Sequence, residues 1–532
     1  LPTKRRQPPT PLPPTRTPLV DYVAVGVVAL CLRAVHALAL WSGDVGDNLY
    51  LNAARYDAWA RMILDGVGPT PPWEQAPGYA YLLSILYAVA DSGAGAAIAF
   101  QVCLGTASCL LLQTVTARFA HRRAALATGL LAAAYGPFIY FSAELLPETV
   151  FVFLCVATLA TATTPAQSIA SWTLTGSLWG AAYLVRTNAL LGVPFALLHA
   201  WQCGGRRAAL GVALPVLVAL LGLFSVNGTA GGERVWSTTS GGVNFWLGNN
   251  PAADGVSPFF GPDHMETDTE VRQRARTAAE ADRIFAAYAR QHWREQPGML
   301  FALAGKKLLW TFSDRELPNN VDIEWRRSRS PIFAMPGFPL GFAAIFILAL
   351  TAFAGGRVVG RGDAWAFTAP VAIAVGTCVI FFTNARFRLP LAIPLLIFAG
   401  VAIDQMWNLA RQGLHARRTV LRVVALALVA TIIGVGNWFG VRDYRIAQID
   451  VNTGIAERDA GRFATAIEFL QRGLQSEPRD AIGWVHLALA LEQYGEIEAA
   501  RRAYAEARMH TPEDPDLRTM QERFEARQRA GR

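Results

Sequence analysis

Charge is what this chain has least of. Only 17% of its 532 residues are Asp, Glu, Lys or Arg, while 53% are hydrophobic; a soluble domain averages about 25% charged. That excludes a water-soluble globule over most of the length. Cysteine is scarce too: Cys31, Cys103, Cys109, Cys155, Cys203 and Cys378 all lie in or at the ends of apolar runs. None has metal-ligand spacing and none falls in a polar loop, so a zinc module and a disulfide framework are both excluded. No small-residue cleavage site follows the first apolar run, which is also too long for a signal-peptide core, so an anchor that stays is expected. The net charge of +8 is no nucleic-acid footprint, because much of it sits in short clusters between apolar runs. No nucleic-acid partner is expected.

What the chain does have is apolar runs of membrane-spanning length. Spans are expected near 19–41, 92–117, 124–141, 147–163, 172–186, 188–202, 208–227, 331–353, 364–383, 387–407 and 419–439. This is an all-α, polytopic membrane protein of about eleven helices. Residues 1–18 form a Pro-rich tail with Lys4, Arg5 and Arg6. With that tail in the cytoplasm, the clusters at 121–123, 206–207, 357–361 and 411–418 also fall inside, as the positive-inside rule requires. Loops 42–92 and 228–330, and everything after Phe439, then lie on the outer face. The run "APGYAYLLSILYAVA" is too short to span comfortably and reads as re-entrant or interfacial.

From Val451 the sequence becomes charged, helical and repetitive. Gly461 and Gly495, Ala466 and Ala500, and Pro478 and Pro512 are each 34 residues apart. That period, with Gly in the inter-helix turn and Pro closing the unit, marks tetratricopeptide repeats over 451–532. About two repeats cannot bury a continuous core alone, so packing on the membrane domain (19–440) or on another chain is expected. The module serves either as a stabilising cap or as a platform for a protein partner.

The informative residues are charges at the outer mouth and inside the spans. "LNAARYDAWARMILDG" follows the first span and contains Asn52, Tyr56 and Asp57, with Asp44 and Asp47 just upstream. As a helix it places Tyr56, Trp59 and Ile63 on one face, suited to the membrane interface. Asp57 and Arg61, four apart, are spaced to pair. "FIYFSAELLPETVF" brings Glu144 and Glu148 to the same surface. Pro147 makes Glu148 a first-turn helix residue, where a carboxylate is favourable anyway, so Glu144 is the better functional candidate. The basic counterparts are Arg33 and His36 on one face of the first span, Arg186 at the end of the fifth, and Arg386 and Arg388 in "NARFRLP". Charge within a span usually faces a cavity or a partner, and guanidinium groups match phosphate oxygens. A phosphorylated lipid beside a general base is the reading this supports, with head-group contact the alternative for Arg386 and Arg388.

"NAARYDAWARMILDG", "PPWEQAPGYAYLL", "YFSAELLPETVFVFL", "GAAYLVRTNALLGVP" and "ARFRLPLAIPLL" resemble, in order, blocks of bacterial GT-C glycosyltransferases. These are the relatives of protein O-mannosyltransferases and of the lipid A aminoarabinose transferase; "TSGGVNFWLGNNPAADG" resembles the subgroup that carries tetratricopeptide repeats. The resemblance implies transfer of a sugar from a polyprenyl-phosphate carrier to a protein, glycolipid or polysaccharide on the outer face of the inner membrane. The span count given above would make the repeats periplasmic. The family's first outer loop carries Asp-x-x-x-Tyr, the Asp being its base or metal ligand. Here the matching pair is Asn52 and Tyr56, and an amide takes no proton. Either Asp57, Asp47 or Asp44 has taken the role, or Asn52 only positions substrate, or the enzyme is impaired. Glu144 resembles the family's second acidic position. Arg186, Arg386 or Arg388, or a divalent cation, would stabilise the leaving phosphate. Three rivals stand beside this reading. A transporter would show internal repeats of its spans, which are lacking. A lipid-linked glycan ligase would use the same carriers. A non-catalytic scaffold would suit Asn52 and the repeats.

Overall fold

The computed structural model describes residues 17–42, 49–90, 93–259, 262–318, 320–356, 358–360, 362–412, 417–512 and 515–530. Among them every regular element is helical, and the one β-bridge joins Tyr135 to Leu340. Helix α1 (Leu19–Trp41) opens the membrane domain, α2 (Asn52–Leu64) and α3 (Gly78–Ala90) lie in the loop after it, and α4 (Ala94–Ala117) follows. The single span expected at 124–141 is two helices, α5 (Arg122–Ala134) and α6 (Gly136–Ser142). Tyr135 is extended between them, with φ −71° and ψ 114°. The Gly136 and Leu340 amides on either side bond to Leu340 and Ala134 carbonyls at 2.9 Å. Pro137, in the first turn of α6, starts the new helix.

Helix α7 (Glu148–Ala162) begins directly after Pro147, and α8 (Ile169–Val185) begins at a reciprocal Ser168–Ser171 capping box. Helix α9 (Val193–Thr229) runs 37 residues but breaks at Gly205, so the expected spans 188–202 and 208–227 meet there. The long segment after α9 holds α10 (Gly241–Leu247), α11 (Pro262–Arg274), α12 (Ala278–Glu295), α13 (Pro297–Thr311), α14 (Ile323–Arg327) and α15 (Pro331–Ala334). The stretch "EVRQRARTAAEADRIFAAYARQHW" is divided between α11 and α12, because Thr277 starts α12 afresh, its side chain accepting from the Glu280 amide at 3.2 Å. Helices α16 (Phe342–Thr351), α17 (Ala364–Ile380), α18 (Leu389–Gln412) and α19 (Arg417–Val435) complete the domain. The expected span 331–353 is broken between α15 and α16, where Gly337 takes φ 69° and Pro339 follows.

Five helical stretches are long and apolar enough to cross a bilayer: Leu19–Trp41, Ala94–Ala117, Val193–Thr229, Leu389–Arg411 and Arg417–Gly440. Four shorter apolar ones accompany them, among them Gly78–Ala90, expected to be re-entrant, and Glu148–Ala162. Helix length and composition alone thus give five spans among the described residues, which does not confirm the expected count of about eleven; a bilayer core needs about 20 residues.

The C-terminal module is five helices: α20 (Ala447–Asp459), α21 (Phe463–Ser476), α22 (Ala481–Tyr494), α23 (Ile497–His510) and α24 (Pro515–Ala530). Gly461 and Gly495 hold equivalent inter-helix turns at φ 75° and 96°, a conformation that favours glycine. Leu470, Leu487, Leu491, Tyr504 and Phe524 belong to its own core. Ala456 and Phe469 pack with Val321 and Trp325 of the long segment after α9, and Tyr50 of the loop after α1 lies against them. Packing on the membrane domain, one of the two expected arrangements, is what the structure has.

Candidate functional site

Helix α2 starts at Leu51, whose φ of 48° is uncommon for a leucine. From that start Asn52, Arg55 and Tyr56 share a face and line a cavity of about 610 Å³. Tyr56 is 3% exposed and stands edge-on to Tyr79, ring centroids 5.1 Å apart. Burial pushes its hydroxyl up to about 12, so it remains a donor at neutral pH. Asn52 is fixed by two amides: Gln75 Nε2 donates to its Oδ1 at 2.7 Å, and its Nδ2 donates to Asn320 Oδ1 at 3.2 Å.

Another wall carries the cationic pair. Arg186 ends α8, Arg386 precedes α18, and both line the cavity. Both bind Glu148 Oε1, Arg386 through Nε at 2.6 Å and Arg186 through Nη1. Glu148, in the first turn of α7, is 0% exposed. Two guanidiniums thus share one buried carboxylate at the cavity wall. Arg186 is also held between rings, its guanidinium carbon 5.7 Å from the centroid of Phe151 and 5.1 Å from that of Phe387. The cavity is lined by four arginines (Arg55, Arg186, Arg272, Arg386) and, among the described residues, one carboxylate, Glu74, which pairs with Arg55 at 2.9 Å. Phe381, Phe382, Leu190 and Leu191 give it an apolar side.

A second cavity, of about 680 Å³, has Tyr140, Asp314, Glu316, Glu324, Arg327 and Phe333 among its lining residues. The stretch 385–388 divides the two, with Ala385 on the second and Arg386 and Phe387 on the first. Arg388 is buried against the second: its Nη2 lies 2.7 Å from Glu316 Oε1, and its Nη1 donates to the Ser313 carbonyl.

The residues expected from the sequence thus separate. Asn52, Tyr56, Arg186 and Arg386 meet in the first cavity. Asp57 does not line it: it accepts from Arg61 at 2.8 Å and from the Tyr87 hydroxyl at 2.9 Å, the pairing that the i,i+4 spacing offered. Asp44 and Asp47 lie outside the described residues. Glu144 lines neither cavity and takes a buried two-pronged bond from Arg326, at 2.7 and 3.1 Å. The preference for Glu144 over Glu148 is therefore corrected, since Glu148 is the acid that meets the arginines. Arg33 and His36 are fully buried in α1 and line neither cavity. Arg33 donates to the Ala29, Ala132 and Ala133 carbonyls at 3.2–3.3 Å, so its charge is dispersed over backbone dipoles, and His36 stands edge-on to Phe333. Glu74, Asn188 and Asn320 line the first cavity without having been singled out. The signal for Glu74 was in plain view, an acid in the Pro-rich approach to α3.

Residues 74–228 match the family model described as dolichyl-phosphate-mannose-protein mannosyltransferase, and residues 457–524 match that of the tetratricopeptide repeat. No curated protein sequence matches the chain. Among solved structures, the apo oligosaccharyltransferase of Archaeoglobus fulgidus is 14% identical, with a TM-score of 0.39, over 83% of this chain and 59% of its own. The same organism's oligosaccharyltransferase AglB, solved with an inhibitory peptide and a dolichol-phosphate, gives 14% identity, a TM-score of 0.37, and coverage of 83% and 59%. ArnT from Cupriavidus metallidurans in the apo state gives 15% and 0.41 over 92% of this chain and 79% of that one. The chain thus spans under two thirds of the archaeal enzyme's length. What the chain carries, by sequence, is a segment of mannosyltransferase-family type at 74–228, which includes Glu74, Glu148 and Arg186, followed by tetratricopeptide repeats.

Proposed function

We propose that this protein transfers a sugar from a polyprenyl-phosphate carrier to an acceptor hydroxyl at the outer surface of the membrane. One observation carries the proposal: Arg186 and Arg386, distant in sequence, meet on Glu148 and both line one cavity. An anionic phosphate ester suits such a pair, since guanidinium forks fit its oxygens. The apolar side formed by Phe381, Phe382, Leu190 and Leu191 suits the first units of a prenyl chain. A volume near 610 Å³ is ordinary for a small-ligand site and suits a sugar phosphate with the tip of an acceptor.

The chemistry follows from the lining. Glu74 takes the proton of the acceptor hydroxyl, the oxygen bonds to the anomeric carbon, and the bond from that carbon to the phosphate oxygen breaks. The lipid phosphate leaves with the electron pair, and Arg186 and Arg386 hold its charge. Asn52, Tyr56 and Asn188 supply amide and hydroxyl groups for the sugar's own hydroxyls. No three His, Cys, Asp or Glu side chains gather as a metal site among the described residues. Asp57 and Glu144 are left out of the chemistry because neither lines this cavity.

The test is transfer from labelled polyprenyl-phosphate hexose or aminopentose by the full-length protein in lipid nanodiscs. Wild type should release polyprenyl phosphate, while Arg386→Ala and Glu74→Gln should each lose about 100-fold or more in kcat/KM. Two variants that transfer as well as wild type would end the proposal.

A further inference from the structure

The repeat module meets the membrane domain at residues 320–329, the stretch that walls both cavities. Asn320 lines the first; Ile323, Glu324 and Arg327 line the second. Helix α20 holds this stretch at three points. Glu457, 0% exposed, accepts from Trp325 Nε1 at 2.6 Å and from Arg329 at 2.5 Å, while Arg462 of the module closes on its other oxygen at 2.6 Å. Thr453 Oγ1 accepts from the Asp322 amide at 2.9 Å. Asn452 Nδ2 donates to the Asn320 carbonyl at 3.2 Å. The side chain of Asn320 accepts in turn from Asn52. Three amides therefore link the module, the loop and the cavity wall in one line. Tyr50, two residues before Asn52, donates to the Ala456 carbonyl at 2.9 Å, and Arg326 of the same short helix binds Glu144.

A solvated repeat appended for another purpose has no need of a carboxylate buried beneath two arginines and an indole. Burying that charge is costly unless every partner is in place, so the module and the loop have a single register. We infer that α20 is a built-in part of the transfer site, and that Glu457 and Asn452 are positioning residues. They act through Trp325, Arg329 and Asn320 to set Asn52 against the donor sugar. The inference rests on the transferase reading above only for its catalytic consequence; the mechanical link stands apart from it.

The experiment uses the full-length protein in nanodiscs, comparing wild type with Glu457→Gln, Asn452→Ala and the control Glu492→Ala. Glu492 pairs with Arg527 within the module. Hydrogen exchange should show lost protection in Glu457→Gln at residues 50–56 and 320–329 as well as in α20, with Asn452→Ala moving the same peptides less. The control should leave them unchanged. In the transfer assay kcat should fall by about tenfold in Glu457→Gln, with the donor KM within about threefold, because Arg186 and Arg386 still hold the phosphate. Loss of protection confined to α20 and α21, or kcat unaltered while the loop loosens, would overturn the inference. If wild type itself transfers no sugar while the exchange pattern spreads as described, the transferase reading fails and the link survives.

Discussion

Glu148 is the residue on which most depends. It sits beneath two guanidiniums and is fully buried, so Glu148→Gln removes the carboxylate that both arginines share. Breaking a buried pair in that way costs about 3–5 kcal/mol, and thermal unfolding in detergent should show it. Glu148→Gln with Arg186→Met should recover part of the loss, because one of the two guanidiniums goes too. A carboxylate at position 52 is the second case. Asn52 uses its amide to donate to Asn320 and its oxygen to accept from Gln75; Asn52→Asp keeps the second bond, and Asn320 can turn its own amide to donate. Asn52→Asp should therefore fold, and in a Glu74→Gln background it should restore part of the lost transfer by offering a base on the same wall. A double variant as inactive as Glu74→Gln would show that position 52 has no access to the acceptor proton. These residues were unevenly legible. Asn52, Tyr56, Arg186 and Arg386 stood out because their blocks resemble a family. Glu148 was masked by a local explanation, the helix N-terminus, which is true but incomplete. The partner of Asp57, four residues away, was visible in the spacing, whereas that of Glu144, Arg326, is 182 residues away and was hidden.

At the scale of elements, long apolar runs gave reliable helices, and failures came where a distant strand of backbone intervened. The break at Tyr135 exists because Leu340 bonds to either side of it, and no hydrophobicity window contains that pairing. The same holds for the "GGVNFWLGNN" stretch. Its role is contact between backbones: a Cβ placed on Gly248 would lie 1.8 Å from the Phe381 carbonyl oxygen. Asn249, next to it, donates to the Ile380 carbonyl at 2.7 Å and accepts from Lys307 Nζ at 3.0 Å. The segment is thereby pressed on the end of α17, directly before Phe381 and Phe382, which line the first cavity. Gly248→Ala must push these backbones apart, an overpacking cost of about 1–3 kcal/mol. It should lower the unfolding temperature and weaken binding of the lipid-linked donor, read as a raised KM in the transfer assay. Gly298→Ala, where no atom lies within 4 Å of the added carbon, should do neither.

Across the whole molecule, the 34-residue period disclosed the repeats but not where they dock, because charged residues of amphipathic helices look solvated until their partners are known. Glu457 is one such residue and His486 another. His486 lies in α22 beside Arg458 of α20, and burial, helped by that guanidinium, lowers it from 6.5 to about 4. The sign follows from proton binding. Below pH 6.5 the unfolded chain takes up a proton on this imidazole and the folded module does not, so stability present above pH 6.5 is lost as pH falls toward 4. A difference of 2.5 between those values sets a ceiling of about 3 kcal/mol. Asp450 and Asp480, raised by burial, act in the opposite sense, since each favours the folded state as it protonates, but from the low end of the range. Within the repeat module, the loss of stability as pH falls below 6.5 therefore runs through His486. Because α20 also anchors the loop beside Asn52, loosening between α20 and α22 should reach the membrane domain. Hydrogen exchange on the full-length protein should thus lose protection in α20 and α22 between pH 6.5 and 5, followed by residues 320–329. His486→Gln, which cannot be protonated in this range, should flatten that dependence; an unaltered slope would assign the pH sensitivity to some other group.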